Sequence, residues 1–236
     1  MCLRQRCENP TVQGVVESGS LCVLPGSATL APEMPAHFHV PRRDVLLAAA
    51  SLLVVGHGAR AAAPIKVEGV TFAGQATVAG QTLELNGVGL RAVAWLKGYA
   101  AGLYLSQRAR TAQQVVAAAG AKRLQLRMLL DVDTEEFVKA FDKGIARNSS
   151  AAELPALASR MARFDALLRA IGKVKKRDVI DLDWLPSLGL QLTLNGRLRG
   201  EPIGGEDLYA ALLRIFVGDK PVDAELKVGL LGGPVG

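Results

Sequence analysis

Hydrophobic and polar residues alternate along several short stretches of the chain, which is the pattern of strands with one buried face. We predict strands at residues 67–72, 75–78, 81–85, 90–105, 122–130, 178–185, 188–194 and 197–199. The dipeptides Asn86-Gly87 and Asn195-Gly196 follow alternating stretches and are typical of tight turns between antiparallel strands.

Elsewhere, apolar residues recur every three to four positions, which is the pattern of helices with one buried stripe. Phe137, Phe141 and Ile145 show this spacing clearly. We predict helices at residues 111–119, 134–145, 153–171, 206–217 and 222–231. Because strands, helices, strands and helices follow one another in blocks, we expect an α+β fold: an antiparallel sheet with helices packed on one face.

Residues 34–61 have the features of an export signal. The pair Arg42-Arg43 precedes an apolar run at residues 45–55, and Ala59-Arg60-Ala61 provides the small residues that a signal peptidase requires. The paired arginines resemble a twin-arginine signal, and an ordinary secretory signal has similar features. The apolar run is about half as long as a bilayer-spanning helix, so we expect cleavage after Ala61 and no stable membrane insertion afterwards.

The export signal also sets the expected domain boundaries. Residues 1–33 contain Pro, Gly and Ser without periodicity, and we expect either a disordered leader or a translation start placed upstream of the true one at Met34. Residues 62–236 have a length suited to a single domain. We therefore expect one folded domain at 62–236, and we expect it to reside in the periplasm.

Cysteine and histidine are confined to the first 61 residues, where all three of each occur. The expected domain therefore lacks the residues for Cys–His or Ser–His–Asp catalysis, for His- or Cys-ligated zinc or haem, and for disulfides. We expect no metal or other cofactor.

The net charge of residues 62–236 is +5, because the first 61 residues contain five arginines and four acids of a chain with net charge +6. The basic residues are scattered, apart from a run at 173–177. We interpret this run as a solvated helix end and turn rather than a contact for an anionic surface. No nucleic-acid partner is expected.

Asp181 and Asp183 alternate onto one face of a predicted strand. They form either a carboxylate pair suited to a metal or a solvent-facing row opposite the apolar residues of the strand. Because no histidine is available to complete a metal site, we expect the solvent-facing row.

Arg91 lies in an almost wholly apolar run at residues 90–105, which we interpret as one long strand with a bend. Its guanidinium cannot lose its charge to escape burial, so it needs a partner. The side chain either reaches solvent from a strand edge, pairs with a buried acid, or binds a ligand carboxylate or enolate. Tyr99 follows eight residues later and would share a face of an uninterrupted strand, where the two side chains would clamp a carboxylate.

Residues 86–91 and 97–105, which include Arg91 and Tyr99, resemble the core of the chalcone isomerase superfamily. Residues 183–189, the Asn195-Gly196 turn and residues 213–221 resemble its exported bacterial branch of chalcone isomerase-like proteins. The resemblance keeps the order of elements over most of the expected domain. It implies an open-faced β-sandwich, in which a large antiparallel sheet is backed by a layer of helices and a ligand cleft lies between sheet and helices.

The resemblance also implies roles for two residues. Arg91 corresponds to the cleft arginine, which in true chalcone isomerases positions the reacting phenolate and stabilises enolate charge during ring closure. Tyr99 stands where those enzymes have a threonine, and a tyrosine there resembles the fatty-acid-binding members, in which Arg and Tyr hold a carboxylate. The enzymes also carry a tyrosine, a lysine and an asparagine on the next helix. Residues 134–141 contain no tyrosine or asparagine, and Lys139 does not clearly match the lysine.

Three functional hypotheses follow. In the first, a periplasmic protein binds a small amphipathic carboxylate such as a fatty acid through Arg91 and Tyr99, with apolar side chains at 137–145 and 208–216 lining a tail channel. In the second, an isomerase or intramolecular lyase stabilises an enolate with Arg91 and donates a proton from Tyr99. In the third, a non-catalytic envelope interaction module has a filled cleft, and its arginine pairs with a carboxylate of the same chain.

Overall fold

The computed structural model describes residues 63–93 and 96–235. The leader expected at 1–33 and the export signal expected at 34–61 lie outside the described residues. Within these ranges, no helix combines the length and hydropathy needed to cross a bilayer.

The described residues form short and long strands interleaved with helices. The strands are β1 (Ile65–Val67), β2 (Val70–Phe72), β3 (Gln75–Val78), β4 (Gln81–Val93), β5 (Leu96–Leu105), β6 (Lys122–Met128), β7 (Val132–Asp133), β8 (Lys173–Val174), β9 (Val179–Leu185), β10 (Gly189–Leu194) and β11 (Arg197–Leu198). The helices are α1 (Ala112–Ala117), α2 (Thr134–Asn148), α3 (Glu153–Arg169), α4 (Glu206–Val217) and α5 (Ala224–Leu230). The bounds predicted for α4 are confirmed, and the predicted stripe of Phe137, Phe141 and Ile145 is buried in α2.

Seven strands form an antiparallel sheet in the order β11-β10-β9-β6-β5-β4-β3. Side chains alternate along each strand, so the sheet has two faces with different partners. On one face, Leu103, Leu124 and Leu182 belong to a large buried cluster to which all five helices contribute. The predicted α+β fold, an antiparallel sheet with helices packed on one face, is therefore confirmed.

The opposite face carries a smaller core, to which the β1–β2 hairpin contributes. Phe72 of β2 is fully buried and leaves no room for a side chain at Gly102 of β5. The predicted single strand at 67–72 is wrong, because Glu68 and Gly69 form a turn with φ values of 47° and 79°. This turn folds the segment back on itself, so that Phe72 reaches the sheet.

The tight turn predicted at Asn86-Gly87 is also wrong, because both residues lie inside β4. The pairing of β4 with β5 shifts its register between Leu85 and Gly87, which marks a β-bulge. The Asn86 side chain is buried, donates to the carbonyls of Ala109 and Leu230 at 3.0 and 2.7 Å, and accepts from the Ala109 amide at 2.7 Å. Asn86 therefore joins distant segments instead of turning the chain.

The apolar run at 90–105 is divided between two strands, so the predicted single bent strand is wrong. Residues 90–93 end β4 and residues 96–105 form β5, which returns antiparallel beside β4.

Asp181 and Asp183 are buried rather than exposed, so the predicted solvent-facing row is wrong. Both carboxylates have partners on neighbouring strands: Asp183 pairs with Arg123, and Asp181 accepts from Gln125 at 2.7 Å. A polar network thus replaces water on this face of the sheet. Among the described residues, no group of three or more acidic residues is placed to hold a metal ion.

Candidate functional site

A cavity of about 400 Å³ lies between the sheet and the helices α2 and α4. Its volume falls in the lower part of the range for small-molecule sites. The wall is mainly apolar: Leu126 of β6 faces Phe137 and Phe141 of α2 and Ile215 and Phe216 of α4. Both helices expected to line a tail channel therefore contribute to one cavity.

Aromatic rings make this wall continuous with the protein core. The ring of Tyr99 lies 6.4 Å from that of Phe137, which lies 6.4 Å from that of Phe141. Phe141 in turn contacts Phe164 and Phe216, with ring centroids 5.4 and 6.3 Å apart. Because these side chains pack on the core behind them, we expect the cavity to keep its shape without a ligand.

Arg91 and Tyr99 are directly opposite each other on β4 and β5, and both line the cavity. Opposite residues of an antiparallel pair point to the same face of the sheet. Their spacing along a single predicted strand would also place them on one face. The structure brings them together through cross-strand pairing instead.

Arg91 is only partly buried, with 24% of its side chain exposed. Its Nη1 atom donates to the Ala92 carbonyl at 2.7 Å and to the Asp223 carboxylate at 3.2 Å. Among the described residues, none accepts a hydrogen bond from Nε or Nη2. The guanidinium therefore has one neutralising partner and further N–H groups beside the cavity.

Asp223 is a site residue that the sequence analysis missed. One of its oxygens contacts Arg91, while the other accepts from the backbone amides of Glu225 and Leu226 at 2.9 and 3.0 Å and so caps α5. An Asp followed two residues later by Glu is a signal for a helix start. The helix predicted from the sequence begins at residue 222, so Asp223 falls inside it instead of at its N-cap.

The glycines of β4 explain how Asp223 reaches the site. A Cβ atom at Gly89 would lie 2.8 Å from the Leu226 Cα, and one at Gly87 would lie 2.7 Å from the Leu230 carbonyl oxygen. Real Cβ atoms essentially never approach so closely, so α5 packs on β4 because these positions lack side chains. The start of α5 then lies over the end of β4, where Arg91 is.

Tyr99 remains protonated under ordinary conditions. Burial raises the pKa of its phenol well above the usual value, and Asp223 raises the pKa further, while the charge of Arg91 lowers it. No described residue forms a hydrogen bond with its hydroxyl. Tyr99 therefore presents a neutral hydroxyl donor at the cavity.

A larger and more open depression, of about 780 Å³, lies between α1 and the ends of α2 and α4. Arg147, Arg214 and Lys220 are among its lining residues. It lacks an enclosed apolar wall, and basic residues are favourable at helix C-termini for electrostatic reasons alone. The smaller cavity beside Arg91 is therefore the stronger candidate.

Comparisons with known proteins agree with the fold. Residues 63–232 match the model of a family described as chalcone isomerase-like. The fold is similar to the crystal structure of a fatty-acid binding protein of Arabidopsis thaliana, with a TM-score of 0.55, 17% sequence identity, and coverage of 71% of this chain and 95% of that chain. None of the curated proteins compared with the chain matches it.

Proposed function

Because the chain belongs to the chalcone isomerase-like family, we propose that it binds a small amphipathic molecule whose apolar tail occupies the cavity between sheet and helices. The polar head of this ligand contacts Arg91 and Tyr99. The observation that carries the proposal is the position of these two side chains, opposite each other at the wall of an otherwise mainly apolar cavity.

A fatty acid is the ligand that we propose first. Its head offers oxygen acceptors for the free N–H groups of Arg91 and for the Tyr99 hydroxyl, and its tail matches the apolar wall. The similar Arabidopsis thaliana structure is that of a fatty-acid binding protein, which supports the choice. The features of residues 34–61 support export to the periplasm, where the protein would meet lipid-derived acids.

A non-catalytic interaction module is the second candidate function. The pairing of Arg91 with Asp223 supports it, because in such a module the arginine has only a structural role. It differs in a measurable way, because a module of this kind needs no ligand in the cavity. The isomerase hypothesis stays a prediction, tested by turnover of a cyclisable enone and its loss in Tyr99→Phe.

The test of the proposal uses the purified full chain. Mass spectrometry identifies molecules that co-purify with it, and calorimetry measures binding of decanoate. We expect Arg91→Ala to raise the dissociation constant by about tenfold or more, since charge-assisted hydrogen bonds are lost. Arg108→Ala removes an arginine that is half exposed and remote from the cavity, and it should leave binding unchanged.

A second variant tests the cavity independently of its polar end. Ala140 lies on an exposed position of α2 and borders the cavity. Ala140→Phe should fold normally and weaken decanoate binding by placing a ring at the cavity wall. Decanoate binding that is unchanged in both Arg91→Ala and Ala140→Phe would overturn the proposed function.

A further inference from the structure

The charged groups around the head end of the cavity carry no net positive charge. Among the described residues, Arg91 of β4 is the one cation that lines it, and Asp223 at the start of α5 neutralises this charge at 3.2 Å. Asp223 itself is not among the lining residues; Glu136 of α2 is the acid that lines the wall, and it pairs with Lys139 on the exposed side of its helix. Tyr99 of β5 is neutral.

The other elements packed around the cavity contribute no charge to its wall. Their lining residues are Leu126 of β6, Val132 of β7, Ile215 and Phe216 of α4, and Val222 before α5. An ionised carboxylate entering here would therefore meet Asp223 across an arginine that is already paired. Because Arg91 can neutralise only one of the two carboxylates, an entering acid is held more favourably in its protonated, neutral form.

Asp223 cannot simply move away to release Arg91. Its second oxygen accepts from the amides of Glu225 and Leu226, so a rotation of the side chain would leave the first turn of α5 uncapped. The close packing of α5 on Gly87 and Gly89 also prevents the helix from shifting as a whole. The carboxylate is a fixed part of the site.

We infer that Asp223 is a specificity-determining residue, which makes the site bind head groups that carry no net charge, so that a fatty acid binds together with one proton. The inference rests on the proposed function and deepens it. In such a complex the ligand carbonyl accepts from the free N–H groups of Arg91 and from the Tyr99 hydroxyl. The proton stays on the ligand carboxyl group, because Asp223 contacts Arg91 but is not among the residues that line the cavity.

This inference gives a distinct rule for ligand selection. Primary alcohols and esters with the same tail bind without a change of protonation, whereas the affinity for a fatty acid falls as the pH rises. Replacing Asp223 by Asn removes the competing negative charge and keeps a side chain that caps helices well. The variant therefore separates the effect of charge from the effect of the cap.

The experiment measures binding of decanoate and of decan-1-ol to the full chain at mildly acidic and mildly alkaline pH. For the wild type we expect decanoate affinity to fall by about tenfold for each pH unit in which one proton must be taken up, and decan-1-ol affinity to stay constant. Calorimetry at alkaline pH in two buffers of different ionisation enthalpy should report uptake of about one proton per decanoate.

Asp223→Asn should bind decanoate about tenfold or more tightly than the wild type at alkaline pH, and the pH dependence should disappear. Glu225→Gln removes an exposed acid from the same turn of α5 and should behave like the wild type. Decanoate binding that is independent of pH in the wild type, and no tighter in Asp223→Asn, would overturn the inference alone. Failure of both probes to bind the wild type would overturn the proposed function itself.

Discussion

Gly89 and Leu226 place strand β4 and helix α5 in direct backbone contact, because a Cβ atom at Gly89 would lie 2.8 Å from the Leu226 Cα. Neither this position nor Gly87 has a positive φ, so it is space rather than backbone conformation that requires glycine. The contact fixes the height of α5 above the sheet. It thereby sets the distance at which Asp223 meets Arg91.

Gly89→Ala should therefore destabilise the fold and disturb the candidate site together. We expect a loss of about 1–3 kcal/mol in the free energy of unfolding, because the added methyl group forces α5 away from β4. Urea denaturation followed by circular dichroism measures the loss. Decanoate binding should weaken in the same variant, since Asp223 and Arg91 shift relative to each other.

The matched control is Gly204→Ala, where a Cβ atom would meet nothing within 4 Å and φ is not positive. Its free energy of unfolding should stay within about 0.5 kcal/mol of the wild type. Equal stability of Gly89→Ala and Gly204→Ala would show that α5 is not held by this contact.

Local periodicity is enough to predict most elements, because the residues of a buried stripe, such as Phe137, Phe141 and Ile145, lie on consecutive turns of one helix. Asn86-Gly87 was misjudged for the opposite reason. The dipeptide has the local preference of a turn, but Asn86 bonds Ala109 and Leu230, and Gly87 makes room for α5. These reasons lie in segments far along the chain.

The same limit applies to the candidate site, because local sequence patterns do not show which distant segments come into contact. The charge of Arg91 in an apolar run marks it as a candidate from the sequence alone. Tyr99 becomes a candidate because it follows Arg91 by eight residues. The partner of Arg91 is 132 residues away, and no pattern around Asp223 indicates which strand α5 will cover. Likewise, Asp181 and Asp183 alternate as an exposed row would, and only the neighbouring strand β6 brings the partners that bury them.

Arg123 and Asp183 form a two-point ion pair between β6 and β9, with distances of 2.7 and 2.6 Å. The Asp183 side chain is only 4% exposed, so removal of its partner would leave a charge without solvent. We expect Arg123→Leu and Asp183→Leu each to lower the free energy of unfolding by about 3–5 kcal/mol, measured by urea denaturation.

The double variant tests whether this cost comes from the unpaired charge. Arg123→Leu combined with Asp183→Leu leaves neither charge behind, so its loss should be much smaller than the sum of the two single losses. The remaining acid, Asp181, lies 3.8 Å from Arg123 and loses this ion pair in the double variant, but it keeps its hydrogen bond from Gln125. Additive losses would contradict the role of the pair.

All three tyrosines of the chain are affected in the same direction by burial. Burial raises the pKa of Tyr104 from 10.0 to about 12, and it raises the pKa values of Tyr99 and Tyr209 further above the usual range. Tyr209 also donates its hydroxyl proton to the Leu182 carbonyl at 3.0 Å. In the unfolded chain each phenol would ionise with its ordinary pKa of 10.0.

The stability of the fold should therefore fall in alkaline solution. Below pH 10.0 the phenols are neutral in both states; above it the unfolded chain loses protons that the folded chain retains, so the free energy of unfolding decreases as pH rises towards 12. The ultraviolet absorbance of tyrosinate should stay low until the circular dichroism signal is lost, and then rise in one step. Tyr104→Phe should remove one phenol from this step and reduce the loss of stability above pH 10.0. Gradual ionisation of the folded wild type with ordinary pKa values would contradict the burial of these rings.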